Sequence, residues 1–224
     1  MNKAMIRTGF LGFALAAGVA QAGFIPLDTV PYASSTRPVA SNNDFLGALA
    51  AQGVTTYTLG ASLGTDSAGS VSYYYYGKEA GYNNLFLASG GIFHSTGFAS
   101  SYQNNFAAPL ALGTTSVGAG RLDFGFCAFT APISLPLCVS NAQNDALRYE
   151  SARSIAFSIV GDSAWLLWDD SGAGPDDNHD DMIIRAVFTP QASVPEPGTL
   201  SLLGLGLVGF WITNRRRMRG AAAL

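Results

Sequence analysis

The sequence predicts an all-β fold, an antiparallel β-sandwich of jelly-roll-like type, and three observations lead there. The 224-residue chain is 48% hydrophobic yet only 12% charged, and low charge with abundant Gly, Ser, Thr, Tyr and Phe is the composition of exported β-rich proteins rather than of Lys/Glu-rich helical ones. Its central apolar residues fall into seven short β-branched or aromatic runs separated by Gly, Asn, Asp or Pro. Spacing suited to a helix is read in the central region only near residue 43. The length suits one domain with a buried core. A formal net charge of -3 excludes a strongly basic nucleic-acid binder, so no nucleic acid is expected as a partner.

In chain order, Lys3 and Arg7 precede an apolar run from Gly9 to Ala20 and the small-x-small triplet Ala20-Gln21-Ala22. This is the pattern of a cleaved secretory signal, residues 1–22, with the mature chain starting at Gly23. The domain expected next covers residues 23–193, with a Pro-rich lead-in from Pro26 to Pro38. Asn43 is placed to cap a short helix carrying Phe45, Leu46 and Leu49, with Gly53 ending it. The strands expected are Val54–Leu59, Val71–Tyr76, Leu85–Leu87, Leu122–Phe126, Ile155–Val160, Trp165–Trp168 and Met182–Phe188. In the run Tyr73 to Tyr76 a side-chain period of two puts Tyr73 and Tyr75 on one face and Tyr74 and Tyr76 on the other, one pair packing and the other facing solvent. Exposed rings at Tyr74, Tyr76 and Trp168 are therefore candidates for stacking on a sugar.

Cys127 and Cys138 are the only cysteines, with ten residues between them. In an oxidising compartment an even count at hairpin-sized separation favours a disulfide, two buried thiols being the alternative. They can form neither a four-cysteine zinc site nor a C-x-x-C redox pair.

The densest chemical signal is the turn from Asp169 to Asp181, with six carboxylates. Asp176, Asn178 and Asp180 form a D-x-N-x-D ladder whose oxygens, with Asp169 or Asp181, suit Ca²⁺. An EF-hand is excluded, because Asp181 stands where its Gly belongs and Val187 where its bidentate Glu belongs. The alternative is a solvated turn whose short side chains bond their own backbone. Other constellations are weaker. Gly60-Ala61-Ser62-Leu63-Gly64 spells a nucleophile elbow, but the elbow needs a following helix and strand signals follow here. Glu79, Glu150 and the aspartates offer a glycosidase pair only if folding sets them at the required separation. His94 and His179 as zinc ligands are solitary and far apart in sequence, and read as loop histidines; no catalytic residue is assigned and no enzyme activity is expected.

At the other end, Val194-Pro195-Glu196-Pro197-Gly198 leads into an uncharged run to Thr213, then Arg215, Arg216, Arg217 and Arg219. A helix over residues 198–213 barely spans a hydrocarbon core of about 30 Å, and the arginines hold its end in the cytoplasm. Breaker, apolar run and basic stop over residues 194–219 resemble the PEP-CTERM sorting signal of Gram-negative bacteria, down to Pro195-Glu196-Pro197. The resemblance implies recognition by an exosortase, export across the inner membrane, anchoring before processing, and delivery to the cell surface or an extracellular polysaccharide matrix. Trp168-Asp169-Asp170, the stretch from Asp176 to Arg185, and Gly77 to Asn84 also resemble an aspartate-rich domain of unknown function common in such proteins, which implies an extracellular sandwich without supplying an activity. The role expected is a structural or binding protein, with a carbohydrate-binding module, then a secreted hydrolase, as alternatives.

The end signals hold six of the twelve basic residues, whereas all but one of the 15 acids lie between them. The exported domain is thus acidic, and seven of its acids fall between Asp162 and Asp181, which favours cations or a hydrated matrix as companions.

Overall fold

The computed structural model describes residues 22–27, 34–132, 134–144, 153–171, 178–192 and 204–211. Fifteen described strands follow in order: β1 Phe24–Leu27, β2 Ser35–Pro38, β3 Thr56–Leu59, β4 Ser62–Thr65, β5 Gly69–Glu79, β6 Asn83–Ala88, β7 Gly91–Ser95, β8 Tyr102–Asn104, β9 Leu110–Val117, β10 Gly120–Arg121, β11 Phe124–Phe129, β12 Leu137–Ser140, β13 Ser154–Val160, β14 Ser163–Asp169 and β15 Met182–Pro190. Helix α1 is Leu46–Ala51 and α2 is Asn141–Asn144; a third helical stretch, α3, covers residues 204–211.

The described strand pairings are antiparallel and build three sheets. The largest runs β2-β3-β13-β14-β15-β5-β8, with β9 also on β5; a second runs β12-β11-β6-β7, and a third β1-β4-β10. The main core lies between the large sheet and the other two. It joins Val71, Tyr73 and Tyr75 of β5, Trp168 of β14 and Ile184 of β15 to Phe86 of β6, Phe126 of β11 and Leu63 of β4. Trp168 stacks on Phe126 across the sandwich with ring centroids 5.5 Å apart.

A second core covers the opposite face of the large sheet. Phe45 and Leu49 from the α1 region, with Val39 and Val54, pack on Tyr76, Ala156, Trp165, Leu167 and Ile183. The central strands are therefore covered on both faces, and β14 is buried along its whole length, as strands between two layers are. The expectation of one exposed tyrosine pair is corrected on this ground: Tyr76 is buried like Tyr73 and Tyr75, and Tyr74 is half-buried.

All seven expected strands are present with shifted ends. The helix begins at Leu46 rather than directly after Asn43, whose Oδ1 accepts the Phe45 N–H at 2.9 Å; Gly53, at φ +84°, ends the turn that follows. Cys127 and Cys138 face each other across β11 and β12 and form a disulfide. In α2, Asn141 exchanges hydrogen bonds with the N–H and C=O of Leu63 (2.8 and 2.7 Å) and donates to Leu122 O at 2.8 Å. At the start of the domain Gly23 N donates to Asp66 Oδ1 at 2.9 Å, and Asp66 N returns a bond to Gly23 O at 3.2 Å.

Among the described residues no helix is long and apolar enough to cross a membrane. Of the expected span 198–213 the structure describes α3, whose Leu205, Leu207, Phe210 and Trp211 are exposed. Ala20, Asp176, Pro195, Glu196, Pro197, Arg215, Arg216, Arg217 and Arg219 lie outside the described residues.

Candidate metal centre

Four segments converge at one end of the sandwich: the end of β14 with Asp169 and Asp170, residues 178–181 leading into β15, the end of β5 with Lys78 and Glu79, and residues 43 and 44 ahead of α1. The pairing of β15 with β5 sets this up, since Glu79 N donates to Asp180 O at 2.9 Å where the two strands part. Asp181 N donates to Trp168 O at 3.1 Å, closing the turn against β14. The helix lead-in is tied down twice: Asp44 N donates to Asp180 Oδ2 at 2.7 Å, and Asn43 Nδ2 donates to Asn178 O at 2.9 Å.

Glu79, Asp180 and Asp181 each bring a carboxylate oxygen within 4.8 Å of the others. Glu79 and Asp181 also line, with Asp170, Ser171 and Tyr82, an open cleft of about 190 Å³. Asp169, Asp170, Asn178, Asp180 and Asp181 are all buried. The turn alternative is corrected in its solvation, because these carboxylates are folded in against the strand ends, where charge is costly unless compensated, and holds in its bonding, since Asp169 and Asp181 accept the backbone N–H groups of Ser171 and Asp170.

The electrostatics show the strain. Burial, with the charge of Asp170 next, pushes the Asp181 carboxyl up to about 9, although the Asp170 N–H at 2.7 Å on its Oδ2 pulls the other way. Burial also raises Asp170 to about 6, against the Asn84 amide that donates to it at 2.7 Å. The cations Arg153 and, after it, Lys78 act on Asp170. The Lys78 ammonium is fully buried and donates to the carbonyls of Tyr82 and Gly97 at 3.1 and 3.2 Å; burial pushes it down, while Asp170, Asp181 and Glu79 hold it up. An oxygen-rich group of this kind, opening on a cleft, is chemically suited to a hard divalent cation.

The remaining candidates are placed elsewhere. His179 takes a left-handed φ of +57° and sits against Tyr57, its Nε2 2.9 Å from Ser154 Oγ, and burial lowers it to about 4. Ser154 and His179 are both sealed from solvent. His94 lies between the sheets with its ring 4.2 Å from that of Tyr75. Ser62 is buried in β4, where its hydroxyl donates to Asn141 O at 2.7 Å, and a strand rather than a helix follows Gly60. Of the sugar-stacking candidates, Trp168 is fully buried against Phe126 and Tyr76 is buried under Phe106 and against Trp165. Neither offers an open face, because the large sheet is covered on both sides.

Glu79 is the member of the acidic group that the turn pattern does not reveal. Its signal in the sequence is a lone acid ending a long strand run.

The tail carries a sorting signal that a family model recognises. Residues 193–217 match the family model of the PEP-CTERM protein-sorting motif, a motif that implies export and processing by an exosortase. The match speaks for the tail and leaves the β-domain unassigned. No curated protein matches the chain.

Proposed function

We propose that the exported domain is a non-enzymatic β-sandwich of the cell surface or extracellular polysaccharide matrix, and that Ca²⁺ binds at its acidic end and stiffens it. The observation that carries the reading is the meeting of Glu79, Asp180 and Asp181 within 4.8 Å beside a cleft. Asp169 and Asn178 lie on the same turn, and Asp176 completes the D-x-N-x-D ladder in the sequence. Millimolar extracellular calcium suits a weak site of this kind. In this reading the ion joins β5, the β14–β15 turn and the α1 lead-in. The tail delivers the chain, anchored in the inner membrane of a Gram-negative cell until the exosortase acts, and the domain then works as a stable acidic module. Calcium at ten times its Kd should stabilise the protein by about 1.4 kcal/mol, a rise in melting temperature of about 3–5 °C. A Glu79→Gln/Asp180→Asn variant should lose that rise. An unchanged melting temperature at millimolar calcium, or an equal rise in the variant, would remove the metal from the function.

A further inference from the structure

Four aromatic rings form a column from the interior to the surface. Trp165 and Phe106 stack at 6.0 Å and 6°, Phe106 and Phe45 at 5.6 Å and 24°, and Phe45 and Tyr102 at 5.4 Å and 3°. Trp165 and Phe45 are each 1% exposed, whereas Tyr102, the last ring, is 45% exposed. One face of Tyr102 is taken by Phe45, so its exposure belongs to the rest of the ring.

Tyr102 is held on every side that matters for its orientation. Its backbone pairs with Glu79 in the β5–β8 ladder. Ser100 Oγ donates to Tyr102 O at 2.6 Å, and Asn104 Nδ2 donates to the Tyr102 hydroxyl at 3.2 Å. A ring fixed before any ligand arrives loses little freedom on binding, which is where preorganised sites gain affinity.

The surroundings select the ligand. Residues 80–120, which contain β6 to β9, include no Asp, Glu, Lys or Arg, although the domain is acidic overall. Exposed Asn104 sets an amide beside the ring, at its hydroxyl. A flat apolar face edged by neutral hydrogen-bonding groups matches the C–H face of a pyranose and its hydroxyls.

We infer that Tyr102, at the outer end of this column, is a stacking platform for a neutral, pyranose-containing polysaccharide. The inference rests on the matrix-associated reading above and gives it a contact residue, replacing the buried Tyr76 and Trp168.

The test is depletion of the full chain, kept in solution by a sugar-free polyoxyethylene detergent, onto microcrystalline cellulose, chitin and cross-linked dextran, with calcium alginate beads as the anionic arm. Wild type should be retained by at least one neutral polysaccharide, Tyr102→Ala at least tenfold less, and Tyr102→Phe within twofold of wild type. Unchanged near-ultraviolet circular dichroism and melting temperature in Tyr102→Ala would separate lost binding from lost folding. Equal retention of Tyr102→Ala overturns the platform and leaves the matrix reading standing. Retention on alginate alone overturns the neutral ligand and also leaves that reading. Retention on none of the four overturns both. Sedimentation gives the remaining alternative occupant: a dimer that Tyr102→Ala dissociates, without neutral-sugar binding, would assign this face to a second copy of the chain and overturn the inference.

Discussion

Raising the pH from 7.0 to 8.5 in the presence of a chelator should destabilise this protein, and Asp181 is the group responsible. An unfolded aspartate loses its proton near its ordinary value of 3.8, whereas the folded Asp181 keeps it up to about 9, because burial and the neighbouring Asp170 disfavour its charge. Between those values the folded state binds one proton more than the unfolded state, so stability falls as pH rises. The slope for one proton is about 1.36 kcal/mol per pH unit, flattening as pH approaches the folded value. Integrating from pH 7.0 to 8.5 gives a loss of about 2 kcal/mol. His179, held neutral when folded and lowered to about 4, acts with the opposite sign, but mainly between pH 4 and 6.5. Lys78, lowered by burial, also opposes the loss. Urea denaturation at the two pH values, for wild type and Asp181→Asn, isolates the effect. Asparagine keeps an oxygen for the Asp170 N–H that Asp181 now accepts at 2.7 Å but has no proton to lose. The wild type should weaken by about 2 kcal/mol relative to the variant across this interval. Parallel behaviour of the two proteins would refute the assignment of a buried, proton-holding carboxyl at position 181.

Three further outcomes follow from other parts of the fold. Asn141→Ala removes three side-chain hydrogen bonds and strands buried groups of Leu63 and Leu122, so equilibrium unfolding should show a loss of about 3–5 kcal/mol. Reduction of Cys127–Cys138, which closes a loop with a sequence separation of 11, should cost about 3 kcal/mol in the same measurement. His94 is pushed down by burial between the sheets, so its folded form resists charging; acidification below its ordinary value of 6.5 should destabilise wild type more than His94→Gln, as read by melting temperature.

The strands most legible in the sequence were β5, β13, β14 and β15, whose β-branched and aromatic runs are long enough to stand out. Strands β4, β8 and β9 were not read, because Ser62 to Thr65, Tyr102 to Asn104 and Leu110 to Val117 are made largely of Gly, Ser, Thr, Asn and small apolar residues that also make turns. Helix α2 escaped for a related reason: Asn141 and Asn144 look like turn residues until β4 and β13 come close enough to receive their amides. The alternation argument identified the two faces of β5 correctly but could not foresee that Phe45, Phe106 and α1 cover the second one. Of the acidic group, Asp180 and Asp181 were legible from their spacing. Glu79, a hundred residues away in the chain, enters only through the β5–β15 pairing.

If the chain is cut after Ala22, as the signal pattern of residues 1–22 predicts, the hydrogen bond from Gly23 to Asp66 gives that cut a physical consequence. While Ala22 precedes it, the Gly23 nitrogen offers Asp66 a single neutral amide hydrogen. Once the bond after Ala22 is cut, the same nitrogen is an ammonium with three hydrogens, and a neutral donor becomes a charged one facing the same carboxylate. The cut that frees the chain would thereby fasten the first strand at its root. Maturation would act as a latch, closed by the new chain end itself, and a precursor that retains its leader would carry β1 with that latch still open.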